Sequence, residues 1–89
     1  MAYGTFGNPT TRIAFALPVA SRVTLTVFDV NGRIVAELQR DQLNLAGHYA
    51  INFAPQGLTS GVYFYELKAV SLHSPAASFV ARKTMPIIK

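Results

Sequence analysis

The chain has 89 residues, 51% hydrophobic and 13% charged, enough for one domain with one modest core and too few for a second. So apolar a balance excludes intrinsic disorder, and the lack of cysteine excludes a disulfide framework or a thiolate metal site. The net charge of +4 is spread over Arg12, Arg22, Arg33, Arg40 and Lys68, with only Arg82, Lys83 and Lys89 close together, so no basic stripe for nucleic acid is expected.

Residues 1–9, "MAYGTFGNP", form an entry segment without the basic and apolar regions of a signal peptide; an exported parent would carry its signal upstream. No run approaches the ~20 apolar residues of a membrane-spanning helix. "TRIAFALP" alternates Ile13, Phe15 and Leu17 against Arg12, Ala14 and Ala16 and stops at Pro18, the period of a strand. "RVTLTVFDVNGRIVAELQ" alternates Val23, Leu25 and Val27 against Thr24, Thr26 and Phe28. Asn31-Gly32 follows, the preferred pair for a two-residue type I′ hairpin with positive φ at both positions. The chain returns through Arg33 to Leu38, although Ile34, Val35 and Leu38 also fit a helical turn.

A further alternation, Tyr49, Ile51 and Phe53, is entered through Ala46-Gly47 and left through Pro55. The loop "APQGLTSG" then delivers the chain into residues 62–70, with Gly61 permitting the turn that aims the strand. That strand carries Tyr63, Phe64 and Tyr65 side by side, with Val62, Phe64 and Glu66 on one face and Tyr63, Tyr65 and Leu67 on the other. Core packing on both faces, an exposed sugar-binding platform and pairing with another chain are the three readings of this run, and the first is preferred. "SLHSPAAS" is a second loop, and residues 79–89 form a last strand and tail that Pro86 pushes toward a sheet edge. Short strands with turn signals roughly every 8 to 15 residues and no convincing helix predict a single all-β domain over residues 1–89, an antiparallel β-sandwich.

Nothing in the chain assembles a catalytic set. Asp29, Glu37, Asp41 and Glu66 fall in turns, in loops or on the solvent-facing beat of strands, and "GLTSG" lacks the central serine of a nucleophile elbow. His48 and His73 stand alone, without the partner at i+4 or the carboxylates that a metal would use. The expectation is a non-enzyme without cofactor or metal.

"NPTTRIAFALP", "RVTLTVFDVNGRIVAEL", "AGHYAINF", "GLTSGVYFYEL" and "RKTMPIIK" come in the order and spacing of the C-terminal sorting domains of type IX secretion cargo, which the chain resembles from about Asn8 to Lys89. It is similar also to the immunoglobulin-like domain of the flagellar hook-capping protein. Two departures stand out: the entry reads "YGTFGNPTT" where the family has prolines at the places of Gly4 and Phe6, and Thr84 and Pro86 interrupt the tail. The resemblance implies an immunoglobulin-like sandwich of about seven strands at the end of an exported, cell-surface or secreted protein. It would follow a cargo domain and be recognised by the outer-membrane translocon, with a sortase-like peptidase then removing it. By motif position it carries family roles onto Asn8, Pro9, Gly32, Gly47, Gly61 and Tyr63. It also places translocon recognition on the tail residues Arg82, Lys83, Met85, Ile87, Ile88 and Lys89. An immunoglobulin-like structural or adhesive spacer, or a carbohydrate-binding module, are the alternative readings.

Overall fold

The computed structural model describes residues 11–54 and 57–87. Asn8 and Pro9 of the entry motif, Pro55, and the terminal Ile88 and Lys89 lie outside the described residues. Six strands follow one another: β1 (Thr11–Leu17), β2 (Ser21–Phe28), β3 (Ile34–Asn44), β4 (Gly47–Phe53), β5 (Gly61–Ser71) and β6 (Phe79–Ile87). A single 3-10 turn, Pro75–Ala77, interrupts the loop before β6. All pairing is antiparallel: β1 and β4 form a two-stranded ribbon, and the other four form a sheet in the order β3-β2-β5-β6. The expected all-β sandwich is therefore present, with six strands among the described residues where about seven were expected.

The alternation read from the sequence decides which way each strand faces. Val23, Leu25 and Val27 of β2 are 0% exposed. Tyr63, Leu67 and Ala69 of β5 lie beside them on the same face, and Ile13, Leu17 and Phe53 cover them from the ribbon. Burying aliphatic side chains of this size stabilises a fold by about 1.5–3 kcal/mol each, so this one layer accounts for the sandwich. At one end the core closes on a polar row, Asn44, Ser21 and Ser71, which pair across β3, β2 and β5. Each has a partner: Ser21 Oγ donates to the Val19 carbonyl, Asn44 Nδ2 to Gln39 Oε1, and Ser71 Oγ accepts the Ser74 amide. A buried hydroxyl or amide so bonded avoids the desolvation penalty of an unpaired one.

β3 settles the helix-or-strand ambiguity in favour of a strand, and it continues to Asn44, beyond the expected end near Leu38. Its register with β2 shifts three times, so residues 34–42 of β3 span only residues 23–28 of β2. Extra residues at bulges break the period of two, which is why Ile34, Val35 and Leu38 mimic helical spacing. Asp41 at one bulge has φ +45 and donates its amide to Thr24 Oγ1 at 3.0 Å.

The β2–β3 hairpin corrects a second expectation. Asp29 donates its amide to the Arg33 carbonyl at 2.9 Å, and Gly32 donates to the Asp29 carbonyl at 3.0 Å. The loop is therefore three residues, Val30 to Gly32, with only Gly32 (φ +81) in the left-handed region, rather than a two-residue type I′ turn. The cause is the Asp29 carboxylate: Oδ1 accepts the amides of Asn31 and Arg33 at 2.9 and 3.0 Å, starting the turn one residue earlier than Asn-Gly alone suggests. Gly61 is corrected as well. Its φ is not in the left-handed region, and a Cβ there would meet Tyr63 Cε1 at an ordinary 3.9 Å, whereas Gly57 (φ +79) is the loop glycine that a side chain would strain.

A Cβ at Gly32 would meet nothing within 4 Å, so substitution there tests backbone strain alone. Gly32→Val should lower unfolding free energy by about 1–3 kcal/mol, and Gly32→Asn by clearly less, because asparagine tolerates positive φ. Gly61→Ala should leave the denaturation midpoint unchanged while Gly57→Ala lowers it; urea denaturation of the four variants checks both assignments.

Candidate functional site

β6 is the outer strand of the large sheet, and its register with β5 sorts the tail residues. Met85 pairs with Tyr63 and Ile87 with Gly61, and both side chains point inward, 3% and 2% exposed. They are core residues: the strand's inner face is spent on the sandwich, and neither side chain presents an exposed surface. Lys83 has the same inward parity, opposite Tyr65, but is exposed. Arg82 faces outward and donates from Nε to Glu66 Oε2 at 2.6 Å across the strands.

The charges show why Lys83 differs from its neighbours. Each of the four carboxylates is held by an arginine: Asp29 by Arg33, Glu37 by Arg40, Asp41 by Arg22 and Glu66 by Arg82. Among the described residues this leaves Arg12, Lys68 and Lys83 without an ion pair. By ladder position Arg12 lies on the outside of the ribbon and Lys68 on the outside of the large sheet, while Lys83 stands at the free edge on the inner face. His48 and His73 are exposed and far apart in the chain, and no three histidine, aspartate or glutamate side chains gather as metal ligands among the described residues. Nor is any helix long and apolar enough to cross a membrane among them.

The aromatic run divides as its alternation requires. Tyr63 is buried and Tyr65 half-buried on the inner face, but Phe64 is 38% exposed on the outer one and Val62 47%. Core packing on both faces is thus corrected: the ribbon covers one side of the sheet, and no second layer covers the other among the described residues. Only one of the three rings faces outward, so they do not make a platform. Phe64 instead pairs with Phe28, which pairs with the exposed Ile34, so an apolar row crosses the outer face next to the hairpin. With Val30 and Arg82, Phe28 and Phe64 line a shallow cleft. Nothing in a single strand's periodicity places these residues together, because the row is made by register.

Tyr63 also holds its own entry loop, its hydroxyl donating to the Thr59 carbonyl at 2.9 Å, the device of a tyrosine corner. Tyr49 does the same to Leu45 at 2.6 Å, and its ring stacks on Phe15 with centroids 5.3 Å apart. Gly47 begins β4 opposite Leu17 with φ +147. The described motif residues Gly32, Gly47 and Tyr63 therefore hold turns and strand ends. They do not converge with Lys83 on one spot.

The family described as "Secretion system C-terminal sorting domain" matches residues 5–77 of the chain. The match takes in β1 to β5 and ends before β6. No curated protein and no solved structure matches.

Asp29 yields a prediction in pH. The Arg33 amide above all holds its carboxyl below the ordinary value; desolvation opposes it, and the Asn31 amide and the Arg33 guanidinium add to the lowering. A carboxyl depressed in the folded state adds stability that is present above its unfolded pKa. That stability is lost as pH falls from about 4 through the lowered folded value. Asp29→Asn should therefore flatten the acid limb of the stability profile while the mutant stays less stable than the parent at neutral pH. Melting temperatures measured between neutral and strongly acidic buffer provide the check.

Proposed function

The chain belongs to the family of secretion system C-terminal sorting domains, and from that membership we propose that it is a folded, non-catalytic address read at the outer membrane. Domains of this family direct exported proteins through the type IX secretion system. In the proposal, the parent carries an upstream signal peptide and a cargo domain, crosses the periplasm and ends secreted or at the cell surface. The translocon is the first partner and a sortase-like peptidase the second. The observation that carries the reading is the family match over residues 5–77, supported by a surface on which every carboxylate is tied to an arginine rather than poised for chemistry.

Arg82, Lys83, Ile88 and Lys89 form the contact set in this proposal, while Met85 and Ile87 act indirectly by anchoring β6 in the core. Asn8 and Pro9 belong to the entry from the cargo. The likeness to the hook-capping domain, carried by "DVNGR" and "SGVYFYEL", enters the same proposal as a parallel: a small immunoglobulin-like sandwich used as an assembly module.

The test is a reporter with an upstream signal peptide and this chain at its C-terminus, in a host with type IX secretion. The reporter should reach the surface or medium, whereas the same reporter without the chain should stay in the periplasm. Periplasmic retention of both would overturn the reading. Met85→Ala should cost about 2–5 kcal/mol of stability by cavity formation and reduce export only as far as it reduces folding; urea denaturation and surface labelling of the same variant check this.

A further inference from the structure

Pro86 pairs with Val62 yet has no amide hydrogen to give, so its position in the ladder is one whose nitrogen points away from β5. Parity extends this to the rest of the strand: the amides and carbonyls of Val80, Arg82 and Thr84 also point to the open side of β6, in the non-hydrogen-bonded positions opposite Lys68, Glu66 and Phe64. Among the described residues β6 therefore keeps three residues of ladder unused, bounded by the proline. The other edge of the same sheet is broken by the three register shifts of β3 and cannot offer a comparable straight run.

Lys83 sits within this open run, between Arg82 and Thr84. A lysine on the inner face of an edge strand ordinarily guards it, because an added strand would have to cover a charge. Here the charge has no partner among the described residues, while its neighbour Arg82 is neutralised by Glu66. We infer that β6 is a strand-addition site, taking an extended partner strand that places a carboxylate opposite Lys83 and hydrogen-bonds to Val80, Arg82 and Thr84. With the partner running antiparallel, its bonds to Arg82 and Thr84 leave the residue facing Lys83 in a non-hydrogen-bonded pair, where side chains approach closest. A second copy of the chain does not satisfy the site through β6, since Phe79–Ile87 contains no acid, and the acids elsewhere are each held by an arginine. The occupant is thus a separate acidic strand, and the inference rests on the sorting reading only in taking that strand to belong to the secretion machinery.

The probes are two synthetic peptides of alternating valine and threonine, one with a central glutamate and one with a central lysine, added to the labelled chain and followed by amide exchange. The glutamate peptide should slow exchange at Val80, Arg82 and Thr84, and its affinity should fall with added salt. Lys83→Glu should weaken the glutamate peptide by roughly tenfold or more and favour the lysine peptide instead. Lys83→Gln should bind both alike, and circular dichroism should show both variants folded. Equal binding of the two peptides to the parent chain, or protection elsewhere, overturns the inference. In the export assay, a wild-type fusion that is exported alongside an equally exported Lys83→Glu fusion overturns strand addition and leaves the sorting reading intact. A wild-type fusion that is not exported, with the peptide selectivity present, overturns the sorting reading alone.

Discussion

The unbroken antiparallel pairing of β2 with β5, from Ser21 opposite Ser71 to Phe28 opposite Phe64, is the constraint from which the rest of the structure follows. It aligns Val23, Leu25 and Val27 with Ala69, Leu67 and Tyr65, so that one continuous apolar surface needs a single cover. A slip of one residue would turn the inner row outward and lose the whole layer. The ribbon of β1 and β4 supplies that cover. β3 and β6 extend the sheet on either side, and each meets its free edge differently, β3 with bulges and β6 with a proline and a lysine.

This division explains where function can reside in so small a domain. The inner face is consumed by stability, down to Met85 and Ile87 near the end of the chain. The arginines bound to carboxylates are consumed by turns and cross-strand pairs, and exposed pairs of this kind contribute little to stability individually. What they do is remove charge: the eight cations become few that are free to meet a partner. The outer apolar row of Ile34, Phe28 and Phe64 remains a surface feature of the sheet with no counterpart inside the described residues.

Much of the fold was legible in the sequence because period-two alternation is a local property. β1, β2, β4 and β5 run where Ile13, Val23, Tyr49 and Tyr63 mark their inward beats. β3 was harder to read, since bulges add residues that the alternation has no means of announcing. The hairpin was placed rightly and typed wrongly, because the Asp29 side chain competes with the backbone preference of Asn31-Gly32. The site was less legible. Arg82 and Lys83 look equivalent as neighbours in a sequence, and only the register that sets Glu66 beside Arg82 separates them. Met85 and Ile87 likewise look like surface apolar residues of a tail until Tyr63 and Gly61 are seen to pair with them.

The order of pairing has a temporal consequence. β1 must wait for β4, β2 for β5, and β5 is itself bordered by β6, the last made of the described strands. Contacts so distant along the chain close late and slowly in folding. A polypeptide released early, lacking β6, exposes the inner edge of β5 and lacks Met85 and Ile87 beneath it. The sandwich therefore behaves as a seal that closes only once β6 has been made, and anything that reads its finished edge is reading, at the same time, that the five strands before it are made and paired.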